Sequence, residues 1–364
     1  MSAPTRAAIA ALKGYRPGRK PGDVTTPAPA DLMVKLSSNE LPFEPLPSVV
    51  AAVQASVASL HRYPDFFARE LIELLGDQAG VDSDQVVVAS GSSALCRNVV
   101  EATATGGDQV VMASPTFQAY GRAAVICGAE AVRVPLNSNY AHDLQAMLDA
   151  VGPATRVIFV CNPNNPTSTA VAAGELQDFV KAVPDNVLIV IDEAYREFAT
   201  DPSSVPNAVP LIADHDNVVV VRTFSKAHGL AGLRVGYAIT SPEFADALRK
   251  VVTPFAASTV GQLAAAASLR AQAEVLQRVR IIVAERIRVA EALRVAGIET
   301  ARSEANFVWL PLGAASAGFV SACEAEGVLV RPMPPEGVRV TIGTPAENDR
   351  FLAAAAHWRS GPAH

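Results

Sequence analysis

Short apolar runs rich in Val and Ile alternate with helix-like or turn-like segments through the first two thirds of the chain. Seven runs are candidate buried strands, namely QVVVAS, DQVVMAS, AVRVPL, TRVIFVC, VLIVIDE, NVVVVRTF and RVGYAIT. Most of the segments between them have helical composition or turn residues. This alternation predicts an α/β fold with a mostly parallel seven-stranded sheet.

The pattern changes after about Val252. The Ala-, Arg- and Leu-rich stretch GQLAAAASLRAQAEVLQRVRIIVAERIRVAEALRVAG predicts a long helix, and the short strands NFVWLPL, GVLVRP and GVRVTIG follow it. Near the start, GYRPGRKPGD and TTPAPAD predict an extended arm that must pack on something else to be ordered. We therefore expect an arm with part of the small domain at 1–42, a large domain at 43–252 and a small α+β domain at 253–364.

Composition narrows the possible partners. The 364 residues include 30 basic and 36 acidic side chains, a net charge of -6, and no Lys/Arg-rich block. This balance argues against nucleic-acid and membrane partners and favours small molecules. No apolar stretch approaches the roughly 18 residues that span a bilayer, and AAIAAL is too short for a secretion signal, so we expect a cytoplasmic protein.

The cysteines are widely separated and have no nearby histidine at metal-ligand spacing. We expect small core residues, and neither a disulfide framework nor a metal site, at Cys96, Cys127, Cys161 and Cys323.

Four polar stretches lie at or just beyond the ends of predicted strands. Ligands of open α/β sheets bind at the carboxyl ends of the strands, so this placement predicts one common site. In the first stretch, ASGSSALCRNVV, a strand ends at Ser90 and a helix begins near Ser92. Unpaired N–H groups at a helix start form a phosphate cradle, although Ser is also a common plain N-cap. The stretch lacks the ending of a P-loop, which disfavours a nucleotide triphosphatase.

The second and third stretches end buried strands. In VIFVCNPNNPTS, Pro163 and Pro166 fix the backbone and Asn165 offers a donor for a ring oxygen of a ligand; the alternative is a turn without function. In LIVIDEAYREF, Asp192 follows four aliphatic residues, and its burial is costly unless it meets a cation. Tyr195 either directs its phenol into the same pocket or is an ordinary core tyrosine.

The fourth stretch, TFSKAHGLAGLRVGY, places a lysine where an apolar strand ends. Lys226 is flanked by Thr223 and Ser225 and is followed by Arg234. A lysine among apolar residues and other cations has a lowered pKa and becomes a nucleophile able to form a Schiff base; the alternative is a surface lysine. The glycines of the stretch precede a strand instead of opening a helix, so it is not a dinucleotide loop.

A cofactor with a phosphate, a pyridinium nitrogen, a phenolic oxygen and an aldehyde uses all these groups, which points to pyridoxal 5'-phosphate (PLP). In order and spacing, NPNNPT, DEAYREF, TFSKAHGLAGLRVGY and GVRVTIGT resemble the fold-type I PLP-dependent aminotransferases of the histidinol-phosphate and aromatic amino acid branch. The resemblance runs from YRPG to GTPAEND. It implies a fold-type I transferase with amino acid and 2-oxo acid substrates, and a homodimer.

The resemblance also implies a role for each site residue. Lys226 carries the cofactor and moves a proton of the substrate, Asp192 pairs with the pyridinium nitrogen, and Tyr195 and Asn165 hydrogen-bond the phenolic oxygen. The groups expected at the phosphate are the backbone of Ser92 and Ser93, Thr223, Ser225 and Arg234.

The remaining implied residues lie around the ring and the substrate. Phe117 of SPTFQAY is expected to stack on the cofactor, and Tyr63 of HRYPD to reach the cofactor phosphate of the neighbouring subunit. Arg339 is expected to bind the substrate carboxylate, with Arg331 and Tyr15 lining the rest of the substrate site.

The sequence departs from the common family pattern at two positions. Glu44 and Ser168 stand where glycine is expected, and both changes resemble the phenylalanine or aromatic aminotransferase branch. We therefore expect an aromatic substrate, with Leu41 and Phe43 helping to enclose its side chain. Other functions stay open. Two arginines could also bind histidinol phosphate, and the scaffold also supports a PLP-dependent decarboxylase or, without its lysine, a binding protein.

Overall fold

The computed structural model describes residues 4–15, 17–23, 33–200 and 205–360. Part of the predicted arm, including TTPAPAD and Arg16 of YRPG, lies outside the described residues. Within them the strands are β1 (Val34–Lys35), β2 (Val86–Ala89), β3 (Gln109–Ser114), β4 (Glu130–Pro135), β5 (Thr155–Cys161), β6 (Leu188–Asp192), β7 (Val218–Thr223), β8 (Gly236–Ile239), β9 (Phe307–Leu310), β10 (Val328–Leu329), β11 (Arg331–Met333) and β12 (Gly337–Thr341).

The α-helices of the described residues lie mostly between these strands. They are α1 (Ala7–Ala11), α2 (Pro47–Ser56), α3 (Arg69–Ala79), α4 (Ser92–Thr103), α5 (Ala119–Cys127), α6 (Leu144–Asp149), α7 (Ala173–Ala182), α8 (Pro242–Val251), α9 (Thr259–Arg270), α10 (Gln272–Val295), α11 (Ser316–Ala325) and α12 (Pro345–Ser360).

A seven-stranded sheet forms the centre of the molecule, in the order β2-β8-β7-β6-β5-β3-β4. Strand β8 runs antiparallel to both its neighbours, and the other pairings are parallel. Strands β5 to β8 are buried almost throughout, which explains their near-continuous Val and Ile runs. All seven predicted strands are present, so the predicted α/β fold with a mostly parallel sheet is confirmed.

Two smaller sheets involve the C-terminal part of the chain. Strands β11, β12 and β9 form an antiparallel sheet, and β1 pairs in parallel with β10. Pairing with β10 attaches the segment before the large sheet to the C-terminal part of the chain. The large sheet lies within 43–252 and the antiparallel sheet within 253–364, while the domain boundaries themselves stay predictions.

The long helix predicted after Val252 is two helices. It breaks at Ala271, whose φ of -96° and ψ of 29° are not helical. The physical reason is that the two halves have different partners: α9 packs on α2 and α3, whereas α10 packs on α12. Propensity alone could not show this break, because every residue around it favours a helix.

The arm is not wholly extended as predicted. Helix α1 forms in the Ala-rich segment that follows Arg6, because Ala and Leu favour helices, and it packs on α5. Arg122 Nη1 donates to the Lys13 carbonyl oxygen at 2.6 Å, and Arg6 Nη2 donates to that of Ile126 at 2.5 Å. The start of the arm is therefore ordered by packing on α5.

Three further observations bear on the sequence predictions. Among the described residues, no helix is long and apolar enough to cross a membrane, so the cytoplasmic location stays a prediction. Cys96, Cys161 and Cys323 are buried as expected, whereas Cys127 is only half-buried at the end of α5. The described residues contain no group of three or more His, Cys, Asp or Glu side chains suited to a metal ion.

Candidate active site

A cavity of about 280 Å3 opens where the parallel strands of the large sheet end. It brings together thirteen of the residues predicted from the sequence, although they come from stretches far apart in the chain. The predicted residues that line it are Tyr15, Ser92, Ser93, Phe117, Asn165, Asp192, Tyr195, Thr223, Ser225, Lys226, Arg234, Arg331 and Arg339.

The Lys226 amine projects into this cavity from the loop after β7. Its Nζ donates to the Asn39 carbonyl oxygen at 3.2 Å and lies 5.6 Å from the centre of the Tyr195 ring. Burial, assisted by the positive charges of Arg339 and Arg234, lowers the pKa of Lys226 to about 7. A large fraction of the amine is therefore neutral near neutral pH, as a nucleophile or a base requires.

The Asp192 carboxylate lies at the end of β6 and is fully enclosed. Its Oδ2 accepts a 2.7 Å hydrogen bond from Tyr120 Oη, and its Oδ1 accepts one from the Ala194 N–H at 3.1 Å. Burial raises the pKa of Asp192 to about 6, against the opposing effect of the Tyr120 hydrogen bond. Both partners are neutral, and no cation of the described residues forms an ion pair with this carboxylate. A protonated pyridine ring would be a suitable cationic partner for it.

Tyr195 and Asn165 form one hydrogen-bonded group beside the lysine. The Nδ2 of Asn165 donates to Tyr195 Oη at 3.4 Å, and Asn39 Nδ2 donates to the same oxygen at 3.0 Å. Burial raises the pKa of Tyr195 far above its ordinary value, so the phenol keeps its hydrogen. That hydrogen is available to a negatively charged oxygen of a ligand.

The start of α4 and the guanidinium of Arg234 form a cradle for an anion. Gly91 supplies no side-chain cap, so first-turn N–H groups of α4 are left for a ligand. A Cβ at Gly91 would lie 2.6 Å from Arg234 Nη2, and one at Gly236 would overlap the Ser92 nitrogen. Arg234 Nη1 also donates to Ser225 Oγ at 3.3 Å. Only glycine fits these two backbone positions, which bring the helix start and the guanidinium together.

Arg339 is a buried guanidinium with unused hydrogen-bonding capacity. It donates from Nη1 to Asn165 Oδ1 at 2.6 Å and from Nη2 to the Ser37 carbonyl oxygen at 2.9 Å. Its Nε has no partner among the described residues, and burial lowers the pKa of Arg339 to about 10. A buried charge without an anionic partner among the described residues is costly, so the site favours an anionic ligand here.

Tyr63 was predicted to contact a cofactor, but it does not line the cavity. Its side chain is 81% exposed, and its ring stacks on Phe255 at 4.5 Å between centres. Phe66 packs edge-on against Phe255 at 5.2 Å. The structure thus places Tyr63 in an exposed aromatic cluster, formed by Tyr63, Phe66, Phe67 and Phe255.

The prediction that Leu41 and Phe43 enclose the substrate side chain is wrong for this structure. Both side chains pack against the hydrophobic core, and neither lines the cavity. Ser37, Ser38, Asn39 and Glu40, just before them, line it instead. The backbone turns at Asn39, whose φ is 53°, and this turn directs the polar residues to the cavity and the apolar ones to the core.

Sequence reasoning missed Asn39 and Tyr120, which contact predicted catalytic groups. Asn39 follows a strand too short to recognise, but Asn is among the few residues that tolerate a positive φ, and this was the available signal. Tyr120 lies within α5 and stacks on Phe159 at 4.2 Å, so it has the pattern of a core aromatic. Nothing in its sequence context indicates that its hydroxyl meets Asp192.

One of the two substitutions at family glycine positions, Ser168, is also informative. Ser168 has a φ of 61°, in the left-handed region that favours glycine, and its side chain is fully buried. The backbone at this position therefore has the conformation expected of the glycine it replaces. The structure retains the loop geometry although the residue has changed.

The described groups fit PLP at each part of the molecule. The α4 cradle and Arg234 suit its phosphate, Asp192 its ring nitrogen, the Tyr195 hydroxyl its phenolic oxygen and the Lys226 amine its aldehyde. Phe117 lines the cavity beside them, with its ring edge-on to Tyr120 at 5.5 Å.

Comparison with known proteins agrees with this fit. The family model for aminotransferase class I and II matches residues 31–354, so the chain belongs to this PLP-dependent family. An aromatic amino acid aminotransferase of Thermobifida fusca is 48% identical over 350 residues, covering 96% of each chain. Another of that name, from Mycolicibacterium paratuberculosis, is 49% identical over 361 residues, covering 98% of each.

A solved structure matches nearly the whole chain. Histidinol-phosphate aminotransferase from Sinorhizobium meliloti, in complex with pyridoxal-5'-phosphate, is 26% identical, with a TM-score of 0.89 over 99% of this chain and 98% of that one. The fold-type I prediction and the cofactor prediction are thereby confirmed, and the chain is a PLP-dependent aminotransferase acting on amino and 2-oxo acids.

Proposed function

We propose that this aminotransferase moves the amino group between an aromatic amino acid, such as phenylalanine or tyrosine, and a 2-oxo acid such as 2-oxoglutarate. The observation that carries the proposal is the cavity itself. It combines the buried guanidinium of Arg339 with two aromatic side chains, Tyr15 and Phe117. The names of relatives that are 48% and 49% identical over nearly their full length support the same substrate class.

Arg339 binds the substrate carboxylate in this proposal. A guanidinium already held on two sides by Asn165 and Ser37 is rigid, so it fixes the carboxylate with little loss of conformational entropy. Arg331 also lines the cavity and contributes positive charge. The aromatic surface of Tyr15 and Phe117 then selects the side chain of the substrate.

Lys226 and Asp192 perform the proton chemistry. When bound, PLP supplies an electron sink for the charge that develops at the substrate Cα. Lys226, whose pKa of about 7 leaves a substantial fraction of the amine neutral at neutral pH, takes the proton from Cα and later returns one. Asp192 holds a proton on the ring nitrogen of the cofactor, and this proton in turn neutralises the buried carboxylate.

The remaining predicted residues hold the cofactor in place. Tyr195 and Asn165 act at the phenolic oxygen, and Phe117 acts at the ring. The phosphate is held by the backbone of Ser92 and Ser93 and by Thr223, Ser225 and Arg234. The N–H groups of α4 and the guanidinium supply the positive potential that a phosphate dianion requires.

We also propose that the protein is a homodimer in which Tyr63 reaches the phosphate site of the partner subunit. Support comes from the exposed aromatic cluster around Tyr63, since exposed apolar patches of this kind mark interaction surfaces. Light scattering tests the assembly, with a mass of two chains expected. A fully active monomer contradicts this role of Tyr63.

Histidinol phosphate is the second candidate substrate. The structural likeness to a histidinol-phosphate aminotransferase, together with a second arginine at the cavity, Arg331, favours it. Identity at 26% is much lower than that with the aromatic enzymes, so we rank it second. The match to an aminotransferase family argues against the decarboxylase alternative.

The deciding experiment compares kcat/KM for phenylalanine, tyrosine, alanine and histidinol phosphate, each with 2-oxoglutarate. Burial of a phenyl group contributes roughly 1.5–3 kcal/mol, so we expect phenylalanine to exceed alanine by about tenfold to hundredfold. A histidinol phosphate value tenfold above that of phenylalanine contradicts the aromatic assignment. Release of CO2 without transfer of the amino group would show a decarboxylase instead.

A further inference from the structure

Two amide side chains connect strand β12 to the hydroxyl group of Tyr195. In the first connection, Arg339 Nη1 donates to Asn165 Oδ1 at 2.6 Å, and Asn165 Nδ2 donates to Tyr195 Oη at 3.4 Å. In the second, Thr341 Oγ1 donates to Asn39 Oδ1 at 3.2 Å, and Asn39 Nδ2 donates to Tyr195 Oη at 3.0 Å. Arg339 and Thr341 are two residues apart on one strand and therefore share a face of it.

Asn39 is held more tightly than a loop residue normally is. It is 1% exposed, and its N–H donates to Thr341 Oγ1 at 2.9 Å. Its carbonyl oxygen accepts hydrogen bonds from Lys226 Nζ and from Asn306 Nδ2, both at 3.2 Å. This single residue thus contacts the proposed catalytic lysine through its backbone and the proposed catalytic tyrosine through its side chain.

Thr341 fixes which end of the Asn39 amide faces Tyr195. Because the Thr341 hydroxyl accepts the Asn39 N–H, its own hydrogen is directed to Asn39 Oδ1. The amide nitrogen is then the group that remains for Tyr195 Oη. Thr341 itself does not line the cavity, so it acts on Tyr195 only through Asn39.

We propose that Asn39 is a positioning residue that sets the direction in which Tyr195 donates its hydrogen. Because Asn39 and Asn165 both donate to Tyr195 Oη, the lone pairs of this oxygen are used, and the phenolic hydrogen is left for a ligand in the cavity. The inference rests on the proposed role of Tyr195 at the phenolic oxygen of the cofactor. It adds that β12, the strand that carries Arg339, also controls this hydrogen bond through Thr341 and Asn39.

The test is a pH titration of the visible absorbance of the bound cofactor in the holoenzyme. Asn39→Asp replaces a donor by an acceptor, so the carboxylate takes the Tyr195 hydrogen and adds negative charge near Lys226. We expect the pH midpoint of the absorbance change to rise by about one pH unit or more, because the negative oxygen of the cofactor loses the hydrogen bond from Tyr195. The charged groups around Lys226, which are Arg339, Glu40, Arg234 and Asp192, stay unchanged in this variant.

A matched pair at Thr341 separates positioning from packing. Thr341→Val removes the hydroxyl that orients the amide, so the midpoint should rise by a smaller amount, while Thr341→Ser keeps the hydroxyl and should stay within about 0.2 pH units of the wild type. Thermal unfolding with and without the cofactor is measured alongside. The pair keeps the test decisive even if Asn39→Asp does not fold.

Two outcomes overturn the inference, and they are distinguishable. If Asn39→Asp or Thr341→Val lowers the unfolding temperature but leaves the titration midpoint at the wild-type value, Asn39 has only a structural role. If borohydride fixes the cofactor of the wild type to a lysine other than Lys226, the site assignment fails and this inference fails with it.

Discussion

The two sides of the cavity are built in different ways. The cofactor side consists of residues at or beyond the ends of strands of the large sheet, such as Asp192 at the end of β6 and Lys226 after β7. The substrate side is assembled from the segment before the large sheet and from β11 and β12, which meet only through long-range contacts such as that of Arg339 with Ser37. Groups fixed by one rigid sheet suit proton chemistry, whereas the groups of the substrate side serve to bind and orient the substrate.

The most damaging change on the cofactor side is Lys226→Ala. We expect turnover to fall by at least about 10⁴-fold, because the variant loses both the attachment of the cofactor and the proton carrier. Borohydride reduction of the wild type should fix the cofactor to a peptide that contains Lys226. Lys250→Ala, which changes an exposed lysine paired with Asp246 at 2.6 Å, is the control and should retain activity. Substantial turnover by Lys226→Ala contradicts the assignment.

Asp192→Asn is expected to have the second-largest effect. The amide keeps the shape of the carboxylate but cannot hold a proton on the ring nitrogen, so we expect kcat to fall by about 10²–10⁴-fold. The cofactor should still bind through its phosphate at the start of α4, and the visible absorbance of the bound cofactor will measure this binding. Asp246→Asn serves as an exposed control. A near-normal kcat would show that Asp192 is only a structural carboxylate.

Arg339→Lys tests the substrate side and should have the smallest effect of the three. Lysine keeps the charge but loses the planar fork and cannot replace both existing hydrogen bonds, so we expect kcat/KM to fall by about 10- to 100-fold, mainly through KM. Arg331→Lys is the matched control and should have a smaller effect. If Arg339→Lys reduces kcat as strongly as Asp192→Asn and leaves KM unchanged, the proposed division of the cavity into a cofactor side and a substrate side is contradicted.

The difference between the two sides of the cavity also explains which site residues could be predicted from the sequence. Asp192 and Lys226 follow apolar runs that are recognisable as strands, and the rule that ligands bind at strand ends then brings them together. Asn39 could not be found in this way, because the two-residue strand before it exists only through its pairing with β10, nearly 300 residues later. Tyr120 was missed because its ring packs as a core residue, and only the folded sheet brings its hydroxyl to Asp192.

Leu41 and Phe43 show the limit of reasoning from residue type. Both are apolar and close in sequence to the cavity, yet their side chains pack against the core just after Asn39, whose backbone is left-handed. A backbone turn of this kind depends on its tertiary partners, here Thr341 and Asn306, and not on local propensity.

The position of β8 in the sheet has a consequence for synthesis on the ribosome. Among the strands of the described residues, β2 pairs only with β8, whose last residue, Ile239, comes about 150 residues after Val86. At roughly 5–20 residues per second, β2 waits about 8–30 s for its partner while the chain emerges. Because Gly91 and Ser92 follow β2 and Arg234 precedes β8, the anion cradle is completed only at the end of this interval. A nascent chain therefore cannot capture its cofactor before most of the large sheet has left the exit tunnel.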